Sequence, residues 1–142
     1  MRIHEIRRVL KPRSEIFAYA ADLANTEHWD PMVVSARQLD STQVGTGAKF
    51  EMVVRFGGVT IPMVYEIAEY EPDYRLLLEG RSSGLEATDE IKFLEDGNNT
   101  IIDYTSNLRF HNLLRFAEPV LAPFIRRAGS RSVDALVAVL EG

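Results

Sequence analysis

The stretch Ala48-Lys49-Phe50-Glu51-Met52-Val53-Val54-Arg55-Phe56-Gly57-Gly58-Val59-Thr60-Ile61-Pro62-Met63-Val64-Tyr65-Glu66-Ile67 decides the fold class. Ala48, Phe50, Met52, Val54 and Phe56 alternate with Lys49, Glu51, Val53 and Arg55. That period of two is the mark of a half-buried strand. Gly57-Gly58 follows, and two residues free to adopt positive φ between alternating runs signal a tight hairpin. The return strand, Val59 to Tyr70, places Ile61, Met63, Tyr65 and Ile67 on one face.

The same pattern extends in both directions. Glu71-Pro72-Asp73 turns the chain into a strand over Tyr74–Gly80, and Ser82-Ser83-Gly84 turns it again. Leu85, Ala87, Asp89, Ile91 and Phe93 then alternate against Glu86, Thr88, Glu90 and Lys92. After Asp96-Gly97-Asn98-Asn99, the strand from Thr100 to Phe110 keeps Ile102, Tyr104, Ser106, Leu108 and Phe110 in phase. Upstream, Val33 to Ser41 reads as a strand of weaker alternation. Turns recur at short intervals with no crossover helix, so the sheet is antiparallel.

Helical spacing is confined to the flanks. A first strand, Arg2 to Leu10, is stopped by Pro12. Ser14 is a suitable N-cap for a helix with apolar positions at Ile16, Phe17, Ala20 and Leu23, and Glu15 suits its first turn. Asn25 to Pro31 reads as a second short helix, capped by Asn25 or Thr26. Near the C-terminus, Leu113, Phe116, Ala117, Val120, Leu121, Phe124 and Ala128 form a stripe continued by Val133, Leu136, Val137 and Leu140. Pro119 and Pro123 each remove a helical donor. The expectation is a helical turn near residues 112–117, then a long helix from about Pro119, kinked or loosened at Pro123. The order is strand, two short helices, about six meandering strands and one long helix, an α+β domain in which a curved sheet wraps the helix.

Composition narrows the function classes. The 142 residues suit one domain over residues 1–142, and 46% hydrophobic with 26% charged residues can build a sizeable core. No apolar run approaches the about 20 residues a membrane span needs. The charged start Met1-Arg2-Ile3-His4-Glu5 is not a signal peptide, so the expected location is the cytoplasm. With no cysteine, disulfides, thiolate metal sites and cysteine nucleophiles are excluded. A net charge of −5 argues against nucleic acid and anionic membranes, with Arg126, Arg127 and Arg131 read as a solvated helix face. His4, His28 and His111 share no ligand spacing, and no metal is expected. Gly45-Thr46-Gly47 is a turn, not a dinucleotide fingerprint, and neither a Walker motif nor a Gly-x-Ser-x-Gly elbow is present, so no cofactor is expected.

Several motifs together resemble a known superfamily. Pro12-Arg13-Ser14-Glu15-Ile16-Phe17, Ala21-Asp22 and His28-Trp29-Asp30-Pro31 resemble its opening helix pair. Val44-Gly45-Thr46-Gly47-Ala48-Lys49-Phe50 resembles the glycine turn into its third strand. Tyr70-Glu71-Pro72-Asp73-Tyr74-Arg75-Leu76 resembles its Glu-Pro-x-x-Arg-Leu turn, and Asn99-Thr100 before Ile101-Ile102-Asp103-Tyr104 resembles its Gly-Thr-x-x-x-Tyr strand without the glycine. On these grounds the chain resembles the SRPBCC, or START-like, superfamily, in its polyketide cyclase/dehydrase and lipid-transport branch. The resemblance implies a helix-grip fold, seven antiparallel strands around the C-terminal helix, and a deep apolar cavity between them. Members bind lipids, sterols, polyketides, plant hormones and similar molecules; a few are cyclases or aromatases.

A cavity of that kind would be lined by Phe50, Met52, Val54, Met63, Tyr65, Ile67, Ala87, Asp89, Ile91, Tyr104, Ser106 and Leu108 from the sheet, and by Leu113, Phe116, Val120 and Phe124 from the helical end. The same periodicity also describes a dry core. Asp89, Tyr104 and Ser106 are polar residues in phase with apolar ones, so they need partners. They would be ligand anchors, and Asp89 or Tyr104 a general acid or base. The alternative is a structural pairing of Asp89 with Arg75 or Arg81. Trp29 is read as packing the short helices onto the sheet, and Gly129-Ser130 as allowing close approach of helix to sheet. The expected function is binding of a small, largely apolar molecule. A polyketide cyclase or dehydratase using the cavity residues, or a surface interaction module with a closed core, are the alternatives.

Overall fold

Alternation on each strand becomes a two-faced sheet once neighbouring strands are in register. The computed structural model describes residues 1–40 and 42–142. Two expectations, the strand end at Ser41 and the inward side chain of Phe56, lie outside the described residues. The strands are β1 (Arg2–Val9), β2 (Val33–Gln38), β3 (Lys49–Phe56), β4 (Val59–Glu71), β5 (Arg75–Arg81), β6 (Leu85–Asp96) and β7 (Asn99–Phe110). Helices α1 (Arg13–Ala21) and α2 (Thr26–Trp29) follow β1, joined by a 3-10 turn at Leu23–Asn25, and α3 (Leu114–Glu141) ends the chain. The seven strands form one antiparallel sheet in the order β1-β7-β6-β5-β4-β3-β2. Register shifts at Val33/Ser35 and Ile67/Glu69 mark bulges, which bend a sheet and increase its twist. This is the helix-grip architecture.

The motifs at the ends of the strands are structural ties. The Thr100 hydroxyl donates to the Lys11 carbonyl at 2.8 Å, fastening β7 to the chain entering α1. Arg75 meets Glu90 at 2.6 Å, Glu69 at 2.7 Å and Glu71 at 3.2 Å on the outer face of the sheet. Under the other face, the rings of Phe17 and Phe93 meet edge-on at 5.0 Å, and Phe17 and Tyr70 at 5.3 Å. Phe17 and Phe93 are fully buried there.

Capping differs from expectation. Helix α1 begins one residue before Ser14, with Pro12 in the cap position and no side-chain cap bond. The Asp22 side chain, not Asn25 or Thr26, accepts a backbone N–H at the next helical start, from Ala24 at 3.1 Å. The Thr26 hydroxyl donates to the Leu23 carbonyl at 2.6 Å instead.

The C-terminal helix is the larger correction. It is one helix of 28 residues, about 42 Å long, and both Pro119 and Pro123 lie inside it. The carbonyls their missing N–H groups would have met belong to Arg115 and Pro119, both exposed residues whose carbonyls water can reach. The buried face is Leu121, Ile125, Gly129, Ser132, Val133, Leu136 and Leu140. Leu113, Phe116, Val120 and Phe124 are instead 83%, 69%, 69% and 51% exposed. Consecutive helical residues point about 100° apart, so a stripe containing both Val120 and Leu121 is too wide to be buried whole. No helix among the described residues is long and apolar enough to cross a membrane.

Two glycines set close approaches. A Cβ on Gly129 would stand 3.2 Å from a methyl of Ile3, so α3 lies directly on β1 there. Gly80 is opposite Tyr65 in the β4–β5 register, and a Cβ on it would come within 2.6 Å of the Tyr65 ring. Gly80→Ala therefore has to displace that ring. Urea denaturation is expected to show a loss of about 1–3 kcal/mol. The loss should shrink in a Tyr65→Leu background, where no ring is in the way.

Candidate functional site

Beyond the packed half, the concave face of the sheet and α3 enclose a cavity of about 110 Å³. The sheet supplies Met52 and Val54 from β3, Met63 and Tyr65 from β4, Asp89 and Ile91 from β6, and Tyr104, Ser106 and Leu108 from β7. These nine are sheet positions expected to face inward. Phe50, Ile67 and Ala87 are buried but do not line the cavity. Phe50 and Ile67 sit on β3 and β4 farther from the hairpin tip than the lining residues of those strands. Leu113, Phe116, Val120 and Phe124 do not reach it; Ile125, Gly129, Ser132, Val133 and Leu136 form the helical wall. The remaining wall is Ala20, Leu23, Thr26, Trp29, Asp30, Met32 and Val33 from the α1–β2 segment, with Ile3 from β1, Leu78 from β5 and Leu85 from β6.

Register explains the polar groups on the sheet side. Asp89 on β6 is directly opposite Ser106 on β7, and the Ser106 hydroxyl donates to Asp89 Oδ1 at 2.5 Å. The Tyr104 phenol, two residues along β7 on the same face, is turned toward the same carboxyl group and favours its ionised form. The pairing of Asp89 with Arg75 or Arg81 does not occur. Asp89 lies opposite Leu78 on β5, so Arg75 and Arg81 are an odd number of residues away and point to the other face. Both arginines pair with glutamates there, Arg81 with Glu79 at 3.8 Å.

A second carboxyl group enters from the helical side. Asp30 Oδ1 accepts from the Met32 backbone N–H at 2.9 Å and from the Ser132 hydroxyl at 2.6 Å, tying the α2–β2 junction to α3. Sequence reasoning missed both Asp30 and Ser132; the only signal for Asp30 was its place beside Trp29 and Pro31. Trp29 is itself a cavity wall, and its Nε1–H is buried without a partner.

Burial dominates the electrostatics. It pushes the Asp89 carboxyl up from 3.8 to about 6, against the favourable Ser106 and Tyr104 hydroxyls and with the nearby charge of Asp30 acting in the same direction. Burial also raises Asp30, opposed by Ser132 and the Met32 N–H. Tyr65 and Tyr104 are pushed well above 10 by burial and by Asp89, so both phenols remain protonated donors at neutral pH. No Lys, Arg or His is among the lining residues. His4 meets Asp103 at 2.6 Å and His111 meets Glu86 at 3.4 Å, both outside the cavity, and His28 is exposed. The geometry thus offers an apolar chamber with a carboxyl group that changes charge near neutrality, hydroxyl donors beside it and a second carboxyl facing the same space.

A model of the family described as "Polyketide cyclase / dehydrase and lipid transport" matches residues 7–141. The chain belongs to this family. Among solved structures, the fold of this polyketide cyclase/dehydrase and lipid-transport family member is similar to the Zhui aromatase/cyclase from Streptomyces sp. R1128. The match has 12% identity and a TM-score of 0.81, covering 99% of this chain and 93% of that one. It is also similar to a START superfamily protein from Mycobacterium smegmatis, at 12% identity and a TM-score of 0.75, covering 99% and 94%. No curated protein matches the sequence.

The Asp89 shift has a measurable consequence. Between 3.8 and about 6 the folded state holds a proton that the unfolded state has lost. The protonated carboxyl's contribution is therefore fully present below about 3.8 and is lost as pH rises through about 6. The difference is about 3 kcal/mol. Asp89→Asn is neutral at every pH, so its stability relative to the parent should improve by about that amount from about pH 3.5 to about pH 7.5. Urea titrations at the two pH values check this; a difference that does not change with pH would contradict a buried, neutral-favouring Asp89.

Proposed function

We propose that this protein binds a small, largely apolar molecule in the cavity between sheet and α3, oriented by Asp89, Ser106 and Tyr104. The observation that carries the reading is the combination of an enclosed apolar chamber with a hydrogen-bonded carboxyl–hydroxyl pair, Asp89–Ser106, on its wall. The walls supply burial, roughly 25 cal/mol per Å² before ordering losses, and the polar pair supplies orientation. The unpartnered indole N–H of Trp29 is a donor that an oxygen of the ligand would satisfy. Size limits the ligand. An engineered apolar cavity of about 150 Å³ takes up benzene. At about 110 Å³, this one is of the same order and suits a molecule of about one ring. Met32, Met52 and Met63 are the adaptable parts of the cavity wall.

One observation favours a second, catalytic reading: a carboxyl titrating at about 6 is matched to proton transfer near neutral pH. In that reading Asp89 exchanges a proton with a substrate carbon or oxygen while Tyr104 donates to a developing oxyanion. The Zhui aromatase/cyclase shares the fold, which is consistent with either reading.

Native mass spectrometry of freshly purified protein tests the binding reading. The expected result is an excess mass that leaves on unfolding and is reduced in a Met63→Trp variant, which fills the chamber. A bare mass and no uptake from a panel of single-ring compounds would count against it. Turnover of a short poly-β-ketone thioester, lost by about 10²-fold or more in Asp89→Asn, is the result that would move the weight to the enzyme reading.

A further inference from the structure

The charge on the cavity wall is one-sided. Among the described residues, two carboxyl groups, Asp30 and Asp89, line the chamber, and no cationic side chain does. The partners of these carboxyls are all neutral: the Ser106 hydroxyl for Asp89, the Ser132 hydroxyl and the Met32 N–H for Asp30. Arginines nearby in the fold are engaged elsewhere, Arg75 with Glu69, Glu71 and Glu90, and Arg7 with Glu5 and Asp134. Two carboxylates taken out of water without a cation repel one another and have lost their hydration. A ligand that brings the missing positive charge relieves both effects. An anionic ligand, such as a fatty-acid carboxylate, would compound them.

The rest of the wall fits a cation as well. Trp29, Tyr65 and Tyr104 are among the lining residues, and an ammonium group over the face of such a ring is held by its quadrupole. The volume of about 110 Å³ limits the body attached to that group to about one ring.

We propose that the ligand class of this cavity is a compact organic cation, a protonated amine on a single-ring or similarly small apolar body, with its ammonium group received by Asp89 and Asp30. The proposal rests on the cavity-binding reading above and narrows it.

Three probes of one shape and different charge separate the two readings: benzylamine, benzyl alcohol and benzoate. Binding is followed by NMR, using the Trp29 indole N–H and the methyl groups of Met52 and Met63 as reporters of the cavity. Benzylamine should bind about 10- to 100-fold more tightly than benzyl alcohol, the span of a hydrogen bond to a charged group, with benzoate weakest. Asp89→Asn and Asp30→Asn should each remove most of that preference, read as the ratio of benzylamine to benzyl alcohol affinity on the same variant. If benzyl alcohol matches benzylamine, if benzoate binds best, or if both variants keep the preference, the cation proposal is overturned while the cavity reading stands. If none of the three perturbs the reporters, both are overturned. The probe comparison on the unmodified protein decides the matter even where a variant fails to fold.

Discussion

Asp89 is a carboxyl group on the concave face of a sheet that is otherwise apolar, and much of the interior is arranged around it. Such a group has to be paired, protonated or solvated by something. Here its cross-strand neighbour Ser106 donates to it, Tyr104 lies beside it, and the chamber it faces is left unfilled. The result is a carboxyl held near the point where it changes charge.

The chamber exists because two halves of the same concave face are treated differently. In one half Phe17 packs edge-on against both Phe93 and Tyr70. In the other, the inward residues include Ser106, Asp89 and the flexible methionines, and α3 lies across the chamber, meeting β1 where Gly129 stands against Ile3. The bare backbone of Gly129 sets how near the helix comes, and the bare backbone of Gly80 lets the Tyr65 ring lie across β5.

Much of this was legible in the sequence, for reasons that differ by element. The strands were readable because alternation is a local property: once Asp89 is in phase with Leu85 and Ile91, it must share their face. The same rule rejects Arg75 and Arg81 as its partners, since register puts them on the opposite face. The helix was harder. Its sequence carries apolar residues on two adjoining faces, Leu113-Phe116-Val120-Phe124 and Leu121-Ile125-Leu136-Leu140, about 100° apart. Nothing local chooses between them, and the choice fell on the face that carries Gly129. Asp30 and Ser132 are 102 residues apart, and their contact exists only after α3 has docked beside α2.

The sequence by itself determined the order of elements, the antiparallel meander, the inward face of each strand and the presence of polar residues among the apolar ones. Those properties follow from the two-residue period of a strand and from turn residues, which act over a few positions. Only the tertiary structure decided which inward residues line a cavity and which lie in solid core, which face of α3 is buried, and that a second carboxyl joins the first. Those depend on how far a curved sheet and a helix stand apart, a distance set by side chains remote from one another in the chain and therefore absent from any local pattern.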